Sequence, residues 1–292
     1  MGADFTVFWN TGLAILLGHD PYAVPLSAYP PALAYLYTLF ALLPRDVIFP
    51  IWVGANGMLF FDVLRRRKLL RQTAAWVASA PVWFILITGQ IDILFFWLAE
   101  FLGAGGWKAV ITAALITLKP QLALVILPWY LLRWLRTERG QLLRWALVCV
   151  PLHTFPLLFD PGIFGRWLAV LGEQSGWRQT FSSGLFLFTN LGVPGWILVL
   201  PALALAVWGL TRDEKTSRAA QLLAQPSAVW YVDVLLVGAL PWQIYLPVSM
   251  AGFIAAALVH NNFPFFFIAL FALLWRVIKQ RQAPAPVAAS VA

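Results

Sequence analysis

Charge is what this chain has least of. Of its 292 residues only 11% are Asp, Glu, Lys or Arg, with 12 acids against 20 bases. A soluble domain carries about 25% charged residues, so a water-facing surface over most of the chain is excluded. Cysteine is nearly absent as well. Cys149 stands alone in an apolar run, which excludes a disulfide scaffold and leaves the redox compartment unreadable. The same cysteine and three scattered histidines (His19, His153, His260) offer no metal-ligand spacing. There is no G-x-x-x-x-G-K-[ST], no H-E-x-x-H and no G-x-S-x-G. The first apolar run lacks the basic flank of a secretory signal. There is no internal repeat and no stretch that reads as a soluble domain.

What is present is apolar. The chain is 61% hydrophobic, with a mean hydropathy of +0.80. Runs such as "WILVLPALALAVWGL" (196–210) and "FPFFFIALFALLW" (263–275) have no polar face, as helices surrounded by lipid or by other helices require. A transmembrane β-barrel would need alternation that these runs lack. The expected fold is therefore all-α, a polytopic transmembrane helical bundle. The 16 Trp and 20 Pro suit interfacial belts and broken helices. The net charge of +8 does not point to nucleic acid, because the bases cluster between apolar runs and report topology.

Three basic stretches stand out: 65–71, 133–144 and 211–218. The positive-inside rule puts all three on the cytoplasmic side. Apolar segments near 73–88, 91–103, 107–119 and 121–135, then 141–159 and 193–210, give an even number of crossings between them. That leaves 88–92, the Leu-Lys-Pro-Gln junction at 118–121 and the loop 159–184 outside. Several segments are short for a hydrocarbon core of about 30 Å, which predicts tilt or local thinning. Segment 46–64 crosses. The stretches 5–18 and 29–44 have interfacial length, and we expect both to lie flat at the external face. Pro30 and Pro31 start the second, while Gly18 and "HDPY" end the first. Beyond Pro226, helices are expected near 227–240, 243–259 and 263–279. That count puts 276–282 outside, against the positive-inside rule, so either one segment does not cross or the tail is an exception. Residues 1–282 read as one transmembrane domain and 283–292 as a disordered Pro/Ala-rich tail.

Acids are scarce, so their positions carry information. Asp4, Asp20, Asp46, Asp92, Asp160 and Glu173 all fall outside in this topology, and charges at a membrane edge default to functional hypotheses. Plainer roles stand beside that one. Asp4 suits the positive end of a helix, Asp20 suits a turn before Pro21, and Asp92 suits a cap. Lys119 is either a snorkelling lysine or an ammonium placed for a lipid phosphate. Arg166 and Arg178 could serve the same anion, or simply be solvated. His19 reads as a turn residue, His153 as a packed helix residue and His260, with Asn261 and Asn262, as a turn.

"ADFTVFWNTGLAILLGHDPYAV…YPPALAYL", "GQIDILFF" and "TLKPQLALVILPWYLLR", in that order, resemble the polyprenyl-phosphate-dependent glycosyltransferases of family 87, within the GT-C superfamily. The resemblance is best over 3–135. It implies a GT-C bundle with interfacial helices in the first external loop. It also implies a membrane helix before the Asp-Phe, so the chain is expected to be N-terminally truncated. A late Ser-Pro-x-Ser-Trp-x-His pattern is matched only by "LPWQIYLP" (240–247), with Ile244 where the histidine would stand. Gln243 or Tyr245 would then substitute.

The activity implied is transfer of a mannose-like hexose or a pentose from a polyprenyl-phosphate donor to a lipid or glycan acceptor. It would occur at the external, periplasmic face of a bacterial plasma membrane, with inversion and without cofactor or metal. Asp4 would be the general base. Lys119, Gln90, Asp92, Asp20, Tyr22, Tyr29, Arg178, Gln243 and Tyr245 would bind donor phosphate or substrate. Membrane lipids would be the surroundings, with no nucleic-acid partner. A transporter or flippase, or a non-catalytic GT-C-like subunit, remains the alternative.

Overall fold

A computed structural model describes residues 2–173, 185–225, 230–259 and 266–282. Arg178, His260, Asn261, Asn262 and the tail 283–292 lie outside the described residues. Among the described residues every regular element is helical. In chain order these are α1 (Ala3–Leu16), α2 (Pro31–Leu36), α3 (Thr38–Ala41), α4 (Arg45–Arg66), α5 (Thr73–Val77), α6 (Ala80–Thr88) and α7 (Asp92–Ala99). There follow α8 (Gly106–Ile116), α9 (Pro120–Thr137), α10 (Arg139–Thr154) and α11 (Ile163–Glu173). The last are α12 (Gly195–Leu210), α13 (Glu214–Ala224), α14 (Trp242–Val259) and α15 (Phe266–Gln282).

Among the described residues two helical runs, Arg45–Arg66 and Arg139–Leu158, are long and apolar enough to cross a membrane. The pair 70–77 and 80–88, bent by 71°, would make a third if it is one span. Their ends follow local chemistry. Asp46 lies in the first turn of α4 and Arg65 and Arg66 in its last, charges that suit the helix dipole. Prolines in the first turn start α2, α6 and α9. The shortness expected of some segments is clear in α7 and α8, which rise only about 12 and 17 Å.

The stretch 29–44, expected to lie flat at an interface, is helical but broken. Residues 29–44 form two short helices meeting at Tyr37 rather than one. Helix α1 packs across that break at Gly12, where a Cβ would lie 2.2 Å from the Tyr37 carbonyl oxygen. Phe8 stacks on Tyr37, with ring centroids 4.6 Å apart. Gly18, at φ +72°, ends the α1 region as its sequence suggests.

The basic stretches gather at one end of the fold. Arg67 pairs with Glu100 at 2.5 Å and donates to the Val237 carbonyl. Trp129 donates to the Arg212 carbonyl at 2.8 Å, and Arg144 lies over the Trp107 ring. Arg276 pairs with Asp213 at 3.0 Å, and Gln280 donates to the same carboxylate. This places 276–282 with the other basic stretches and favours the alternative that one late segment does not cross. The segment that does not cross is the one expected near 227–240, whose described residues 230–240 form no membrane-length helix. Its described part is a 3-10 run, Trp230–Leu236, closed by Gly238 at φ +78° and Pro241. Nor is 211–218 a solvated loop. Asp213 caps α13 by accepting from the Lys215 and Thr216 amides, and Arg218 is buried against Glu214. The expected loop 159–184 contains α11, whose Trp167 donates to the Ala28 carbonyl.

Candidate functional site

At the end of α7 opposite its Arg67-paired Glu100, four polar segments meet. Helix α6 stops at Gly89, whose φ of +73° is costly for any residue with a Cβ. The crowding there is equally demanding. A Cβ on Gly89 would lie 2.8 Å from Phe5 Cβ and 2.9 Å from the Phe49 ring. The tight turn brings the start of α1 against Thr88–Asp92, and the Gly2 amide donates to the Ile87 carbonyl at 3.0 Å. The Gly89 carbonyl accepts from Trp52, which ties α4 into the same corner.

The chemistry of this corner is a relay of side chains. Thr88 and Gln90 lie close enough to the Asp4 carboxyl to lower its pKa. The Gln90 Oε1 also faces Lys119 Nζ at 3.4 Å, and Lys119 reaches Asp92 Oδ2 at 2.7 Å. Lys119 precedes Pro120 at the start of α9, and Asp92 opens α7. Asp92 is 0% exposed and Lys119 4%, so Lys119 is neither snorkelling nor held out to solvent. Its charge is compensated by a carboxylate whose other oxygen, Oδ1, has no hydrogen-bond partner. Asp4 is only partly buried. Desolvation is the largest influence on it and raises its pKa above the ordinary aspartate value, against lowering contributions from Thr88, Gln90 and Lys119. The Thr88 hydroxyl also donates to the Phe84 carbonyl at 2.9 Å.

The other expected site residues are placed elsewhere. Asp20 caps a short 3-10 turn through the Tyr22 amide and pairs with Arg166 at 3.3 Å. Arg166 also pairs with Asp160, so it bridges two carboxylates and is not presented to an anion. Tyr22 donates to the Tyr29 carbonyl at 3.0 Å, and burial raises its pKa. This second cluster lies beyond the far end of α1 from Asp4. The Tyr29 ring packs edge-on to Phe8, one turn from Asp4.

Gln243 and Tyr245 do not join Asp4 at all. Tyr245 is fully buried against Trp76 and donates to the Asp233 carbonyl. Gln243 is exposed and lines a cavity with Leu69, Gln72 and Arg276. Both therefore sit at the basic end, because α14 starts there. Spacing along the chain could not reveal which end of a helix meets which loop.

Two residues escaped the sequence reading. Thr88 stood beside the Gly-Gln-x-Asp stretch, and its hydroxyl was signal enough. Asp233 is 2% exposed, with Oδ2 lacking a partner, and a full roll of the twelve acids would have flagged it. His153 Nε2 lies 2.7 Å from Thr117 Oγ1, a packed helix residue as expected. Among the described residues no cluster of His, Cys, Asp or Glu is fit to hold a metal. A groove of about 280 Å3 between α9, α12 and α13, lined by Leu124, Val199, Leu203 and Gln225, does not touch Asp4. No family model, curated protein or solved structure matches the chain.

Proposed function

We propose that the chain is a membrane glycosyltransferase of the GT-C type. It would move a mannose-like hexose or a pentose from a polyprenyl-phosphate donor to a lipid or glycan acceptor at the external, periplasmic face. The observation that carries the reading is the meeting of Asp4 with Thr88, Gln90 and the buried Lys119–Asp92 pair. A partly buried carboxyl with a raised pKa is a better proton acceptor than an ordinary aspartate. In this reading the acceptor oxygen attacks the anomeric carbon, its proton passes to Asp4, and the bond from that carbon to the phosphate oxygen breaks. The sugar inverts and polyprenyl phosphate leaves as a dianion. Lys119 supplies positive charge close to that departure, with Asp92 fixing the ammonium and Gln90 linking it to Asp4. No cofactor enters this scheme.

Transfer from a radiolabelled polyprenyl-phosphate sugar in membranes tests the reading. Asp4→Asn keeps shape but accepts no proton, and its rate should fall ~10²–10⁴-fold at near-normal expression. Normal transfer by this variant would remove Asp4 from the mechanism. A transporter is the second reading, because a buried acid–base pair with a spare carboxylate oxygen also suits an ion pathway. Movement of the labelled lipid across vesicles without sugar transfer would favour it. Absence of both activities would favour a non-catalytic subunit.

A further inference from the structure

We propose that Asp92 is an internal competitor for Lys119: it holds the ammonium while the site is empty, and it takes up one proton when a phosphate group claims that ammonium. Phosphate binding is then coupled to proton uptake. This step rests on the reading of the Asp4 corner given above, in which a lipid phosphate meets Lys119, and it gives the two carboxyls separate roles.

In this corner one ammonium faces two carboxyls. Lys119 meets Asp92 at 2.7 Å, and both act electrostatically on Asp4. A lipid phosphate brings up to two further negative charges to the same ammonium. Asp92 is 0% exposed and Lys119 4%, so water cannot spread the excess. Anions crowded at one buried site cannot all stay ionised, and one of them binds a proton. Asp92 is the group placed to do so. Its Oδ1 is buried and has no hydrogen-bond partner among the described residues, so its charge leans on Lys119. The elements packed against α7 offer no substitute cation. At the end of α4, Arg67 pairs with Glu100 and Asp62 accepts from Trp97, about 12 and 8 Å along α7 from Asp92. Lys108 of α8 lies over the Phe101 ring, at that same far end. Helix α6 has no ionisable side chain, and burial is the one influence on the acidity of Asp233 in the 230–236 run. Asp4 is the rival, since burial raises its pKa, but Thr88 and Gln90 oppose that rise and the side chain is only partly buried. Asp92 is thus neutralised, and Asp4 stays free to accept the acceptor's proton. Such a division of roles is what unlike environments impose on neighbouring carboxyls.

The sign of the coupling follows from linkage. Binding that takes up a proton weakens as pH rises, by up to about tenfold per pH unit for one proton. A phosphate monoester has its second pKa at about 6, so above about pH 7 the ligand is already a dianion and its own titration does not mask the effect. After transfer, Asp92 loses the proton, recovers Lys119 and displaces the phosphate.

The test uses the full chain in detergent micelles, with a polyprenyl phosphate, the matching polyprenol and inorganic phosphate as probes. Titration calorimetry in buffers of different ionisation enthalpy reads proton uptake, and infrared difference spectra read the carbonyl stretch of a protonated carboxyl. At about pH 8 we expect close to one proton taken up per polyprenyl phosphate bound, with a new carboxyl band, and neither with polyprenol. Affinity should fall ~5–10-fold per pH unit above that. Asp92→Asn should lose both the uptake and the band and bind the phosphate at least ~10-fold more tightly, because a like charge is gone. Asp4→Asn should keep both signals, so the wild-type and Asp4→Asn spectra answer the question even where Asp92→Asn fails to fold. Inorganic phosphate that gives the same uptake and variant pattern supports the coupling and shows that the lipid tail is not needed for it. Uptake that persists in Asp92→Asn, or Lys119-dependent binding with no uptake, overturns the proposal and leaves the phosphate reading standing. A band lost in Asp4→Asn puts the proton on Asp4 and overturns it too. Binding of polyprenyl phosphate that is unchanged in Lys119→Gln overturns the reading of the corner and this proposal with it.

Discussion

Breaking the Lys119–Asp92 pair is the sharpest test of how the candidate corner is held together. The two groups meet at 2.7 Å with exposures of 4% and 0%, so water cannot replace a lost partner. Asp92→Ala removes the carboxylate in direct contact with Lys119 Nζ; the Gln90 Oε1 at 3.4 Å is a neutral acceptor and the Asp4 carboxyl acts on Lys119 only electrostatically. Removing one member of such a pair costs about 3–5 kcal/mol, most of it from the charge left behind. Replacing both members by apolar residues, as in Asp92→Leu with Lys119→Met, removes that stranded charge. The double variant should fall well short of the sum of the single losses, by ~2 kcal/mol or more. A residual loss of about 1 kcal/mol is expected from Gln90, which would lose its contact with Lys119. Reversible unfolding in mixed micelles of a mild detergent and SDS reads these differences. A loss below ~1 kcal/mol for Asp92→Ala, or strict additivity in the double variant, would refute the argument.

Other predictions follow from the same corner and from the α1 packing. Gly89→Ala meets both a positive φ and the Phe5 and Phe49 side chains, and should cost ~2 kcal/mol or more, read by the same unfolding assay. Gly12→Ala must push α1 off the Tyr37 carbonyl, with a loss of about 1–3 kcal/mol and altered near-UV dichroism from the packed Phe8 and Tyr37. The raised pKa of Asp4 sets the sign of a pH effect. Its stabilising contribution is full below the unfolded aspartate value and fades as pH rises through the folded value, because the unfolded chain gives up this proton first. Asp4→Asn should therefore gain stability relative to wild type across that rise, and a flat difference between the two would contradict the desolvated environment. If Asp4 is the general base, the acid limb of the transfer rate should lie above the ordinary aspartate range and vanish in Asp4→Asn.

Composition alone determined that this chain is helical and built for an apolar setting. Unbroken apolar runs such as 196–210 can satisfy their backbone only within a helix when water is absent. Basic residues marked one end of the fold because charged side chains cannot be left in hydrocarbon. Proline and glycine marked breaks at Pro30–Pro31, Gly18 and Gly89, since each restricts or permits particular backbone angles. The tertiary structure decided which ends meet. Asp4, Gln90, Asp92 and Lys119 were legible as sparse polar residues in an oily chain. Their convergence depended on the Gly89 turn admitting Phe5, a contact across more than eighty residues that no local pattern encodes. Gln243 and Tyr245 were assigned to that same site and lie at the opposite one. The reason is that 230–236 folds as a 3-10 run, buried over 232–236, rather than a crossing helix, which reverses the end at which α14 begins. Counting crossings fails wherever an apolar segment buries itself against other helices, because protein and lipid ask the same hydrophobicity of it and only packing distinguishes them.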